Sequence, residues 1–91
     1  GVAELIDQLR RWVALHSHIY YDLGQSVASD ESWDRKALQL AHLQHIHGYD
    51  AGTWKNEAFE GFTGDTGYHL PVTDEIRDQA QKLINDDEPG D

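Results

Sequence analysis

Between Ala3 and His47 the chain carries two stretches of helical periodicity, and only six residues, Gly24-Gln25-Ser26-Val27-Ala28-Ser29, separate them. That spacing constrains the fold more than any other feature. Over 3–23, Leu5, Leu9, Trp12, His16, Ile19 and Leu23 recur at intervals of three and four, which gathers them on one helical face. Over 30–47, Trp33, Ala37, Leu40, Leu43 and His47 form a second such stripe. Gly24 suits the left-handed residue that closes a helix. Ser29 suits an N-cap, and Asp30 and Glu31 behind it place negative charge at the positive end of the helix dipole. Gly48 marks the stop. Two helices joined by so short a break must fold back on each other as an antiparallel hairpin.

The rest of the chain is organised differently. Residues 49–72 hold four of the eight glycines, with Trp54, Phe59, Phe62 and Tyr68 between them. This reads as an ordered loop, with one helical turn near Asn56–Phe59 and its aromatics packed back on the hairpin. A third helix is expected over 74–86, with Thr73 as N-cap and Ile76, Ala80, Leu83 and Ile84 as its apolar stripe. Residues 87–91 are polar, contain Pro and Gly, and are expected to fray. The expected fold is therefore all-α: a single domain over 1–91, made of a helical hairpin, a glycine- and aromatic-rich loop and a C-terminal helix. At 91 residues its core is modest.

Charge bears on partners. Seventeen acids against seven lysines and arginines give a formal charge of −10. Phosphate backbones repel such a chain, so direct nucleic-acid binding is disfavoured and a protein with a basic surface is the expected partner. Eight of the acids fall between Asp65 and Asp91, and Asp74, Glu75 and Asp78 are the candidate partner-binding face. The alternative is that they only solvate the helix. No apolar run is long enough to span a bilayer, and no leader is read at the start. With no cysteine, the expectation is a cytoplasmic protein. A homodimer is left open by the exposed stripes of such short helices.

Catalytic motifs are missing. There is no cysteine nucleophile and no G-x-S-x-G elbow. GFTGDTG lacks the Lys-Ser/Thr of a phosphate loop. His42 and His45 share a helical face with His47 close by, yet no HExxH or comparable metal motif occurs, and no metal site is expected. The chain is read as non-enzymatic.

The remaining stretch is HSHIYYDLGQSVASDESWD, His16–Asp34. Tyr20 and Tyr21 lie near the end of one helix, and Asp30, Trp33 and Asp34 open the next. Antiparallel packing can bring these ends together. Either Tyr20 and Trp33 are core residues that lock the hairpin, or the rings and carboxylates face one pocket.

This stretch resembles the small N-terminal Ia domain of NAD-dependent DNA ligases. The family pattern is roughly His-x-x-x-Tyr-(His/Tyr), a break, and (Ser/Pro)-Asp-x-x-Tyr-Asp-x-Leu. Tyr20-Tyr21 stands at the first pair, Ser29-Asp30-Glu31-Ser32-Trp33-Asp34 at the second block, and Leu40 and Leu43 continue in step. The match covers the first half of the chain. In the ligases the domain closes over the nicotinamide mononucleotide half of NAD. The resemblance implies that Tyr20 and Trp33 stack on a pyridinium ring and that Asp34 accepts from the carboxamide or ribose. It also implies that Asp30 assists at the ribose or phosphate edge, and that Tyr21 stands where the family often has a histidine near the phosphate. The family's turn proline is absent, Trp33 replaces a tyrosine, and there is no Lys-x-Asp-Gly nucleophile or nucleotidyltransferase domain. Ligase activity is therefore rejected.

The chain looks most like small stand-alone proteins of this type encoded by phages. The leading expectation is a non-enzymatic accessory or inhibitory protein, of the anti-defence or DNA-mimic kind, that binds a host or phage protein and needs no cofactor. The competing expectation is a binder of NAD, nicotinamide mononucleotide or nicotinamide at the hairpin junction. A third is an adaptor that occupies a host ligase by imitating its Ia domain.

Overall fold

The structure, a computed structural model, describes residues 1–87. It is all-helical: α1 (Val2–Tyr21), α2 (Asp30–His47) and α3 (Asp74–Asp87), with short 3₁₀ turns at Tyr49–Ala51 and Glu57–Phe59. Of the tail expected to fray over 87–91, Asp87 closes α3 and 88–91 lie outside the described residues.

The junction forms as its residue types dictate. The Asp22 and Leu23 amides both donate to the His18 carbonyl, at 3.0 and 3.3 Å, and Gln25 N–H closes on the Ile19 carbonyl at 3.0 Å. Gly24 supplies the positive φ of +65° that this closure requires. The helix therefore ends two residues before Leu23, and Leu23 lies exposed instead of continuing the stripe. Ser29 caps α2 as expected, its Oγ accepting from the Ser32 amide at 3.1 Å. Thr73 caps α3 in the same way through the Ile76 amide, at 3.1 Å. Cross-helix contacts pair Ser17 with Trp33 and Arg10 with Gln44, so α1 and α2 run antiparallel.

Helix α1 packs against both α2 and α3. Covered on more than one side, it needs a wider apolar face than one stripe supplies. Its buried apolar residues are Ile6, Leu9, Val13, Ala14, Leu15 and Ile19, while Leu5 is exposed. Ala37 and Leu40 from α2, Phe59 from the loop, and Ile76 and Ala80 from α3 complete the core. On α2 the inward position in the last turn belongs to Gln44, and His47, expected there, is exposed. Trp54, Phe59 and Phe62 pack back on the hairpin, whereas Tyr68 stays 65 % exposed.

The middle of the core contains a charge. Arg10 is fully buried, and its guanidinium donates to Gln44 Oε1 at 2.9 Å, the Trp54 carbonyl at 3.0 Å, Asn56 Oδ1 at 2.5 Å and the Tyr49 carbonyl at 2.5 Å. One turn earlier, Asp7 accepts from the backbone amides of Thr53 and Trp54 at 2.8 and 2.9 Å and from the Thr53 hydroxyl. A buried ion is tolerable only when its hydrogen-bonding capacity is filled, and the loop folds so as to fill it. Gly52 fits because it has no side chain: a Cβ there would stand 2.6 Å from Arg10 Nη1 and 2.8 Å from Asp7 Oδ1.

Candidate functional site

At the turn end of the hairpin the packing leaves a cleft of about 300 Å³. All five residues singled out in the sequence, Tyr20, Tyr21, Asp30, Trp33 and Asp34, line it. The register explains this. Tyr20 and Tyr21 are the last two residues of α1, and Asp30, Trp33 and Asp34 lie in the opening turns of α2. Antiparallel packing sets these ends side by side, and Val27 and Ala28 of the connection close the wall between them.

The structure places the two rings differently. Tyr20 is 56 % exposed, so it does not lock the hairpin. Trp33 is half-buried, packed against the core at one side and bordering the cleft at another. Its indole Nε1 donates to Ser17 Oγ at 3.1 Å, which fixes the plane of the ring. Tyr21 stands edge-on to Tyr20, with ring centroids 5.0 Å apart, and its hydroxyl lies 3.1 Å from Thr66 Oγ1.

The loop also contributes. Asp65 lines the cleft beside Asp30 and Asp34, a residue that helical spacing could not bring into view because it lies 31 positions beyond Asp34. Two glycines hold this part of the loop against the hairpin. Gly64, at a φ of +85°, lies so close to α2 that a Cβ would stand 3.2 Å from the Ala37 carbonyl. At Gly67 a Cβ would collide with the Ser17 side chain and approach Trp33 Cζ2 to 3.1 Å. The glycine-rich motif thus lets backbone approach the hairpin.

His16 also lines the cleft, its ring 4.2 Å from that of Trp12. Its Nδ1 is shielded from solvent and has no hydrogen-bond partner among the described residues. Burial pushes this imidazole below its ordinary range and favours the neutral form. Among the described residues no lysine or arginine lines the cleft. It combines aromatic surface with three carboxylates, an environment suited to a flat cation.

The other candidate face lies elsewhere. Asp74, Glu75 and Asp78 are exposed on the first turns of α3, and Arg77 donates to Asp74 at 2.8 Å. His42, His45 and His47 are exposed, and no group of three or more His, Cys, Asp or Glu able to hold a metal ion occurs among the described residues. No helix among those residues is long and apolar enough to cross a membrane.

No family model, no curated protein and no solved structure matches the chain.

Proposed function

We propose that this protein is a non-enzymatic binding protein whose hairpin-junction cleft holds a nicotinamide-type ring. The observation that carries this reading is the convergence of Tyr20, Tyr21, Trp33, Asp30 and Asp34 on one 300 Å³ space. Small-molecule sites typically begin at about this volume. A pyridinium is flat and cationic, so aromatic faces attract it by stacking and by cation–π interaction, and carboxylates complement its charge. The resemblance to the ligase Ia domain supports the same ring at the same residues. Binding without covalent chemistry is the whole of the proposed activity.

Calorimetric titration with NAD, nicotinamide mononucleotide and nicotinamide, followed in parallel by tryptophan fluorescence, tests the reading. Saturable binding should be lost in Tyr20→Ala and Asp34→Ala while both variants keep the parent's helical circular dichroism. Equal binding by parent and variants, or no binding by the parent, overturns it.

A second reading rests on α3. The exposed Glu75 and Asp78, with Asp74 beside them, offer an acidic surface to a basic groove on another protein. A phage-type accessory or inhibitory protein acting in the host cytoplasm would use it to displace nucleic acid from such a groove. The Arg77–Asp74 pair is solvent-exposed and weakens that surface only slightly. Binding should then weaken steeply with salt and on reversal of charge at Asp74, Glu75 and Asp78. Salt-independent binding would count against it.

A further inference from the structure

The charge around the cleft says more about its ligand than the ring does. Asp30 and Asp34 come from α2 and Asp65 from the loop, so two separate elements place carboxylates at one opening. Among the described residues no lysine or arginine lines the cleft, and no ion pair holds Asp30, Asp34 or Asp65. Lys36 lies over the Trp12 ring at 5.5 Å, Arg11 over Trp54 at 5.5 Å, Arg77 pairs with Asp74, Arg10 is sealed in the core, and Arg35, next to Asp34 in the chain, is exposed and outside the lining. Burial disfavours the charged form of His16, which also lines the cleft.

The amino end of α2, whose Asp30 lines the cleft, is a feature that could receive an anion. One of its free donors is taken: Ser29 Oγ accepts from the Ser32 amide at 3.1 Å, and the Trp33 amide makes the first intrahelical bond to the Ser29 carbonyl at 3.0 Å. Asp30 and Glu31 then add two carboxylates to the first turn, where an anion would have to sit.

We infer that the cleft selects a phosphate-free organic cation. The positively charged ring seats between Tyr20 and Trp33, Asp30, Asp34 and Asp65 surround its charge, and the same carboxylates exclude a ligand that carries a phosphate monoester. The inference rests on the reading of the cleft as a nicotinamide-type site. It departs from what the ligase resemblance implies, because there the ligand carries a phosphate.

Three probes separate the possibilities at low ionic strength: 1-methylnicotinamide, a cation without phosphate; nicotinamide, the neutral ring; and nicotinamide mononucleotide, the cation with phosphate. Binding is read by calorimetry and by the quenching that Trp33→Phe removes. The expected order places 1-methylnicotinamide about tenfold or more tighter than the other two, with the gap closing as salt rises. Asp65→Asn should narrow the gap between 1-methylnicotinamide and the mononucleotide several-fold while leaving the fold intact. If the mononucleotide or neutral nicotinamide binds as tightly as 1-methylnicotinamide, the selection is wrong and the nicotinamide-type site stands. If none of the three binds, both fall together.

Discussion

Trp33 Nε1 donates to Ser17 Oγ at 3.1 Å, and this bond joins the two helices beside the cleft that both residues line. An indole without a partner would be free to rotate with its helix. Tied to a buried serine on the opposite helix, the ring has one orientation, and a stacking surface is useful to a ligand only when it is held in place.

Ser17→Ala should therefore separate positioning from packing. The variant loses one hydrogen bond in a partly buried setting, for a cost of about 1 kcal/mol in urea unfolding. Ligand affinity should fall several-fold more than that modest change in stability would suggest. Unchanged affinity would show that Trp33 is held by its packing alone.

Gly67→Ala tests the loop. Its new methyl group would meet Ser17 and Trp33, so the loop must move away from the hairpin. Overpacking of this kind costs about 1–3 kcal/mol. Amide hydrogen exchange should rise at 64–69 while α3 keeps its protection, and Asp65 should leave the cleft. Exchange that rises evenly over the whole chain would argue that the loop is not an independent support for the site.

Arg10 is the most sensitive position in the core. Arg10→Ala leaves Gln44, Asn56 and two backbone carbonyls without their donor, with an expected loss of about 3–5 kcal/mol. Arg10→Lys should recover little, because an ammonium cannot reach acceptors spread around a planar fork. Thermal melts of the two variants check this. A lysine variant as stable as the parent would mean that charge, not fork geometry, is what the core needs.

His16 gives stability a pH dependence. Burial holds its folded-state pKa below the ordinary 6.5, so on acidification the unfolded chain takes up the proton first. The stability linked to its neutral form is complete above about pH 6.5 and is lost as pH falls through the folded value. Urea unfolding from about pH 7.5 to about pH 5 should show this fall, and His16→Phe should flatten part of it. An identical pH profile in the variant would assign the dependence to other groups.

Local chemistry made much of this architecture legible in the sequence. The caps at Ser29 and Thr73, the stops at Gly24 and Gly48 and the turn at Glu57–Phe59 each follow from residues within a few positions. So does the hairpin, and with it the meeting of the helix ends that carry Tyr20 and Trp33, although whether these rings fill a core or line a cleft stayed open in the sequence. What stayed hidden depends on distant partners. Periodicity in α1 pointed to Leu5 and Leu23, but the stripe that is buried is set by where α3 lands, and it centres on Ile6 and Val13. Arg10 looks like a surface residue until the carbonyls of Tyr49 and Trp54, some forty positions away, are brought around it. Asp65 joins the site for the same reason, through a loop whose path is decided by glycine contacts.

The guanidinium of Arg10 also settles what counts as a unit in this chain. The hairpin looks like a module that could be cut out at Gly48, yet its first helix carries a charge whose acceptors lie mostly beyond that cut. A fragment ending there would have to expose Arg10 to water, and the apolar side chains around it would follow. Hairpin and loop should therefore melt together in a single cooperative transition, and the hairpin gains its stability only with the loop in place.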